Sequence, residues 1–221
     1  MNHIFLILLV LIVQATAFSQ DTPIKKNIGD EPYPAPVMYD NVTLDEAKLI
    51  GLFENQEVGN MHVYSHLKQE DRYFYNGTPI TPTFSKFFND EIAYQTNVSG
   101  KEPRAVFSIR GEAEELYLIR FVGNDWDNEL ALFGWNNGKL EKRITIAKYS
   151  CENDSCLQID SWLQDINGDT RLDIVQKAKK ATKKGKGKSN TTVYLMDQNG
   201  VFRKTKYDHI ELNDYRMENL W

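Results

Sequence analysis

Side chains that carry oxygen ligands are concentrated in one short stretch of the sequence, residues 165–173. Asp165, Asn167, Asp169 and Asp173 stand at positions 1, 3, 5 and 9 of this stretch. Calcium takes about six to eight oxygen ligands at roughly 2.3–2.6 Å, and side chains two apart on a tightly turning backbone can converge on one point. The spacing therefore predicts a site for a hard divalent cation.

Two further positions indicate which kind of loop this is. A helix–loop–helix calcium site needs a bidentate glutamate at position 12 and a glycine at position 6. Gln176 and Thr170 occupy those positions here, and strand-like residues lie on both sides. We therefore expect a connection between two β-strands. The alternative is a turn without metal, in which the aspartates accept hydrogen bonds from their own backbone amides.

The loop and the hairpin that follows it resemble the FG-GAP (VCBS-type) repeat of β-propeller blades. In that repeat an Asp-x-Asn-Gly-Asp-Gly-x-x-Asp loop joins two strands, and the resemblance covers roughly residues 160–205. Thr170 replaces the usual glycine, which predicts strain in the turn. The resemblance implies calcium as the cofactor, held by the side chains of Asp165, Asn167, Asp169 and Asp173 and by the backbone carbonyl of Arg171.

The rest of residues 41–221 is expected to form a single, mainly β domain. Two apolar hairpins are predicted at Asn-Gly pairs, Asn137–Gly138 and Asn199–Gly200. Thr43 and Glu46 fit a capping box, which predicts a short N-terminal helix, whereas residues 84–92 fit either a short helix or an edge strand.

The number of repeats limits the architecture. Residues 124–142 carry a faint echo of the cation-loop segment, which suggests a degenerate internal repeat. One good repeat is too few for a closed propeller of about 4–8 blades. We expect antiparallel sheets arranged either as a partial β-propeller or as a compact β domain.

The N-terminal residues predict export. Residues 4–13 are apolar but too short for a spanning helix, which needs about 20 residues. Small residues follow, with Ala17 and Ser19 at the cleavage positions, so we interpret residues 1–19 as a signal peptide and residues 20–40 as an extended linker. A retained membrane anchor is the alternative. Export predicts a secreted or periplasmic protein with no integral membrane segment after signal cleavage.

An oxidising compartment also predicts a disulfide between Cys151 and Cys156, which are close in sequence. The net charge of −5 argues against nucleic acid as a partner. Seven lysines lie between Lys177 and Lys188. This block is expected to be a solvated, mobile hairpin loop, or alternatively a docking patch for an anionic polymer.

No complete catalytic signature is present. Ser65 and Lys68 match a Ser-x-x-Lys nucleophile pattern, but its companion motifs are missing. The sequence therefore favours a non-enzymatic domain that binds calcium structurally and presents a surface to a protein or polysaccharide partner. The alternative is an envelope inhibitor of a secreted hydrolase such as lysozyme.

Overall fold

The structure is a computed structural model, and it describes most of the chain from residue 42 onward. The described residues are 42–57, 59–65, 76–89, 92, 100–111, 114–123, 127–153, 155–182, 185–206, 211 and 214–217. The predicted signal peptide and linker lie outside these ranges. Among the described helices, none has the length and apolar character needed to cross a membrane.

One short α-helix, a 3-10 helix and an eleven-stranded sheet make up the described fold. In chain order the elements are α1 (Leu44–Ile50), β1 (Glu54–Gln56), β2 (Met61–Val63), β3 (Thr78–Pro79), the 3-10 helix (Pro82–Phe87), β4 (Glu102–Arg110), β5 (Glu115–Val122), β6 (Asp127–Asn136), β7 (Lys139–Glu152), β8 (Ser155–Gln164), β9 (Asp173–Thr182), β10 (Gly185–Met196) and β11 (Phe202–Thr205).

The predicted N-terminal helix begins at its capping box. The Thr43 amide donates to Glu46 Oε2 at 2.6 Å, and the Glu46 amide donates to Thr43 Oγ1 at 3.3 Å. These two bonds satisfy amides that a helix leaves unpaired at its start. Leu49 is the buried residue of α1 and marks the face that packs against the sheet. Of the two alternatives for residues 84–92, a short helix is confirmed as far as Phe87, within the 3-10 helix.

Strands β4 to β11 follow one another in the sheet in chain order, and each neighbouring pair is antiparallel. β1 adds parallel to β4, β3 pairs with β4, and β2 pairs with β8. The expected mainly β, mostly antiparallel fold with a short helix is therefore confirmed. The described strands form one continuous sheet that does not close into a barrel and is not divided into blades.

Both predicted Asn-Gly hairpins are present. Asn137 and Gly138 have φ of 48° and 75°, and Gly200 has φ of 74°. These left-handed conformations suit asparagine and glycine, so the turn residues fix the ends of β6–β7 and β10–β11.

The central strands are buried on both faces. Along β5, Leu116 and Leu118 belong to one apolar cluster, whereas Tyr117 and Ile119 belong to another. The first cluster also contains residues of β2, β8, β9 and β10, so the sheet curls until its later strands cover its earlier ones. The second cluster is covered by α1 and the 3-10 helix.

A buried carboxylate on β6 is neutralised from β7. Glu129 is 5% exposed, and it accepts hydrogen bonds from Lys142 and from Thr145 Oγ1, the latter at 2.9 Å. Lys148 lies 3.6 Å from its second oxygen. Burial raises the pKa of Glu129, but these partners outweigh burial and hold the pKa below its usual value.

The lysine-rich block forms the expected hairpin, but most of it lies in paired strands and not in a loop, which corrects the sequence-based expectation. β9 continues to Thr182 and β10 begins at Gly185, so most of the block forms paired strands. The physical reason is β8, whose whole length from Ser155 to Gln164 provides hydrogen-bond partners for β9. Lysine tolerates such positions because its methylene stem can lie along the sheet while the ammonium group reaches water.

β8 changes partner along its length and ends at the loop of residues 165–173. β7 pairs with β8 near the predicted disulfide, which is confirmed between the cross-strand residues Cys151 and Cys156. Beyond that region β2 takes the place of β7 beside β8. Where β7 and β8 separate, a side chain still connects them, because Ser161 Oγ donates to the Ile146 carbonyl at 2.5 Å. The C-terminal end of β8, which pairs with β2 and β9, then leads directly into residue 165.

Candidate metal centre

The aspartate loop connects β8 to β9, as the sequence predicts. Gln164 and Asp173 are cross-strand partners, so the sheet closes the base of the loop. Gly168 and Thr170 have φ of 77° and 66°. The left-handed conformation costs an ordinary residue about 1–2 kcal/mol, which locates the predicted strain at Thr170. The Thr170 hydroxyl donates to the Asp169 carbonyl at 2.6 Å and offsets part of this cost.

Asp165 is the centre around which the loop folds. Its Oδ1 accepts hydrogen bonds from the amides of Gly168 at 2.8 Å and Asp169 at 3.1 Å, and its Oδ2 accepts one from the Thr170 amide at 2.9 Å. Asn167 Oδ1 accepts a further bond from the Asp169 amide at 3.0 Å. These four bonds orient the two side chains towards the interior of the loop.

Asp169 is held by Arg171. Its Oδ2 accepts bonds from the guanidinium at 2.7 and 3.0 Å and from Asn167 Nδ2 at 3.0 Å, while its Oδ1 accepts the Arg171 amide at 3.0 Å. Burial raises the pKa of Asp169, but Arg171 and Asn167 outweigh it and hold the pKa below its usual value. Sequence reasoning assigned only the carbonyl of Arg171 and missed this role of its side chain.

Asp173 joins the loop to the core of the sheet. It is fully buried, its Oδ2 accepts the Ile166 amide at 3.1 Å, and its Oδ1 accepts the Met196 amide at 3.0 Å. Burial raises the pKa of Asp173, the two amides oppose that effect, and the charges of Asp169 and Asp165 add to it. The bond to Met196 ties the start of β9 to the end of β10. No local sequence pattern could have revealed it.

The three aspartates converge. One carboxylate oxygen from each of Asp165, Asp169 and Asp173 lies within 4.8 Å of the other two. An ionised carboxylate has about four acceptor sites, so Asp165 and Asp173 have capacity for a further partner, whereas Asp169 already accepts four hydrogen bonds. Oxygen donors at this spacing are the ligand class that hard cations take. The amide-bonded turn and the clustered ligand set are thus features of the same loop.

A second aspartate turn in the chain shows what the amide-bonded arrangement looks like alone. Asp197, in the β10–β11 turn, accepts the amides of Asn199 at 2.9 Å and Val201 at 3.0 Å. Arg203 donates to it at 2.6 Å and holds its pKa below the usual value.

Among the described residues, the only group of three or more acidic, histidine or cysteine ligands spaced for a metal is the one at 165–173. In residues 124–142, for which the sequence suggests a degenerate copy of the loop segment, Asp125 lies outside the described residues and Asp127 pairs with Lys101 at 2.8 Å.

A second polar group, which sequence reasoning did not find, lies on β2 and β8. Asp160 is fully buried, and the Nε2 atom of His62 lies 3.5 Å from its carboxylate. Gln158 Nε2 donates to Asp160 at 3.3 Å, and the His62 ring stacks on Trp162 with centroids 4.3 Å apart. These contacts join β2 to the strand that carries the aspartate loop.

Compared with known proteins, the chain matches no family model, no curated protein and no solved structure. The likeness of residues 160–205 to the FG-GAP repeat stays a prediction from the sequence.

Proposed function

We propose that this chain is an exported, non-enzymatic β domain that binds calcium at residues 165–173 and presents a surface to a protein or polysaccharide partner. The observation that carries the metal half of the proposal is the convergence of three carboxylates within 4.8 Å. Three negative charges at this distance repel one another, and a divalent cation removes that repulsion.

The ligand set is the one that the FG-GAP resemblance implies. The side chains of Asp165, Asn167, Asp169 and Asp173 and the backbone carbonyl of Arg171 would hold the ion. Calcium suits them better than magnesium, because calcium accepts irregular geometry with more ligands, whereas magnesium requires a near-ideal octahedron. The Arg171 guanidinium now occupies Asp169 Oδ2, so cation binding requires this ion pair to loosen.

The proposed role of the metal is structural. Asp173 begins β9 and bonds to Met196 at the end of β10, while Asp165 follows directly after β8. An ion held between these aspartates would tie three neighbouring strands together at one end of the sheet. An ion that binds the folded protein in this way would stabilise the folded state relative to the unfolded chain.

Export rests on residues 4–19 and on the disulfide. The Cys151–Cys156 bond is stable in an oxidising compartment and is rare in a reducing one. This supports a secreted or periplasmic location.

Calorimetric titration with calcium tests the metal half of the proposal. We expect binding heat for the parent and none for Asp169→Ala. Asp197→Ala is the matched control, because it removes the same charge and a similar arginine pair from a turn without a carboxylate cluster, and it should titrate like the parent. No heat in the parent would reject the metal site. Equal heat in the parent and in Asp169→Ala would locate the ion elsewhere.

The hydrolase-inhibitor alternative has its own test. Loss of lytic activity when the protein is mixed with a panel of muramidases would identify the partner as an enzyme. Unchanged activity across the panel would reject that alternative.

A further inference from the structure

The first half of β10 has an open edge. β11 pairs only with Val193–Met196, at the end of β10. Within the described part of the chain, no strand pairs with Gly185–Thr192 on the side away from β9. A register shift between Gly185 and Lys188 interrupts the pairing with β9, so the regular part of this edge is Lys188–Thr192. Such an edge presents a row of backbone amides and carbonyls that can pair with another extended chain.

Two lysines make this edge positively charged. Lys180 on β9 and Lys188 on β10 are direct cross-strand partners, and both are exposed. Their Cβ atoms are therefore about 4.5–5.5 Å apart, and like charges placed opposite each other are destabilising. Neither lysine has an ion pair with any residue that the structure describes. An anionic group between them would relieve the repulsion.

The neighbouring lysines on β9, Lys177 and Lys179, are less exposed. Lys177 donates to the Tyr215 carbonyl and is half-buried, and Lys179 is also half-buried. Of the lysines in the block whose side chains the structure describes, Lys180 and Lys188 are therefore the exposed ones that a partner approaching the open edge meets. A residue placed opposite Lys188 on an added strand would lie within reach of both ammonium groups, because lysine and glutamate side chains are long.

We propose that the open edge of β10, Gly185–Thr192, binds an extended acidic peptide segment by strand addition. The edge provides backbone hydrogen bonds, and the paired lysines select an acidic side chain at the position opposite Lys188. A second copy of this chain is disfavoured, because pairing two such edges would bring their lysines together. An anionic polysaccharide would match the charge but lacks the regular alternation of N–H and C=O groups with which a strand pairs along an edge. The inference rests on the interaction half of the proposed function and is independent of the metal.

Fluorescence anisotropy of the full chain with a labelled ten-residue peptide of alternating glutamate and valine tests this proposal. We expect saturable binding at physiological salt, and none for a lysine–valine peptide of the same length. The acidic peptide with N-methylated amides on the pairing side should bind at least about tenfold more weakly, because strand addition needs those donors.

Charge reversal locates the site. Lys180→Glu with Lys188→Glu should weaken the acidic peptide by at least about tenfold. The control pair is Lys48→Glu with Lys139→Glu, two exposed lysines on α1 and at the start of β7, which do not pair with β10, and it should change affinity by less than about twofold. The far-UV circular dichroism spectrum and the urea midpoint of each variant, compared with those of the parent, report whether its fold is retained.

The remaining outcomes each overturn the inference. If the acidic peptide does not bind, the lysines serve only to keep the edge from pairing. If dextran sulfate binds and the peptide does not, the partner is an anionic polysaccharide. If N-methylation or the position of the reversed charges makes no difference, the binding is unspecific.

When peptide binding fails while calcium heat persists, this inference falls alone. When calcium heat is absent while the peptide binds, the metal proposal falls alone.

Discussion

Replacing Asp173 with alanine should destabilise the protein even when no calcium is present. The fully buried carboxylate accepts the amides of Ile166 at 3.1 Å and Met196 at 3.0 Å. A buried donor left without an acceptor costs about 1–3 kcal/mol, so two such donors cost roughly 2–6 kcal/mol. Removing a buried negative charge offsets part of this cost. We expect a net loss of about 2–4 kcal/mol in the free energy of unfolding.

Urea denaturation in excess chelator, followed by tryptophan fluorescence, measures this loss. Asp169→Ala is the matched comparison, because Asp169 belongs to the same carboxylate cluster but its ion pair with Arg171 is partly exposed. Breaking such a pair costs about 0–1 kcal/mol. Without calcium, Asp173→Ala should therefore be much less stable than Asp169→Ala. Repeating the experiment at a calcium concentration about 100 times Kd should stabilise the parent by about 2.7 kcal/mol and neither variant.

Two results would refute this reasoning. If the two variants have the same midpoint in chelator, the amide bonds of Asp173 do not hold β9 to β10. If calcium stabilises Asp173→Ala as much as the parent, Asp173 is not a ligand.

Three further changes have expected outcomes. Glu129→Gln removes a carboxylate whose pKa is lowered from 4.5, so its stabilisation is present above that pH and lost as pH falls through the lower folded value. We expect it to cost about 2–3 kcal/mol in the free energy of unfolding at neutral pH and to weaken the fall of the urea midpoint as pH drops below 4.5. Thr170→Asn places a residue that tolerates the left-handed conformation at φ 66°, so the melting temperature should rise by about 2–4 °C. Cys151→Ser with Cys156→Ser opens a small ring, which should cost about 2 kcal/mol in the free energy of unfolding measured in urea.

Each of these changes has a contrary result. An unchanged pH profile for Glu129→Gln would mean that its lysine partners do not neutralise it in the folded state. A lower melting temperature for Thr170→Asn would mean that the Thr170 hydroxyl stabilises the turn more than its backbone strains it. If the parent keeps its full stability in a strong reductant, the disulfide contributes nothing to the fold.

The features that the sequence predicted are local ones. The capping box of Thr43 and the Asn-Gly turns at Asn137 and Asn199 depend on residues at most a few positions apart, so their spacing alone identifies them. The same is true of the aspartate spacing from Asp165 to Asp173. The Arg171–Asp169 ion pair is equally local, and an arginine two residues after an aspartate in a tight turn was the signal that could have found it.

The features that sequence reasoning missed depend on distant residues. The amide of Met196 reaches Asp173 only because β10 lies beside β9, and His62 meets Asp160 only because β2 replaces β7 beside β8. The lysine-rich block misled for a related reason. Its charge pattern is typical of a solvated loop, but the pairing of β9 with β8 decides its structure, and no property of residues 177–188 reports that pairing.

The two sequence-based interpretations of the aspartate loop are compatible with each other. Asp197 shows that one carboxylate suffices to close a turn through amide bonds. The loop at 165–173 uses such bonds too, yet it also gathers three carboxylates, which turn closure does not require and which electrostatic repulsion opposes. The amide bonds already place Asp165 and Asp173, so a cation arriving there would reorganise only the Arg171 ion pair. Calcium should therefore change the stability of this fold much more than its shape. The chelator experiment on Asp173 separates the contribution of the amide bonds to stability from that of the ion.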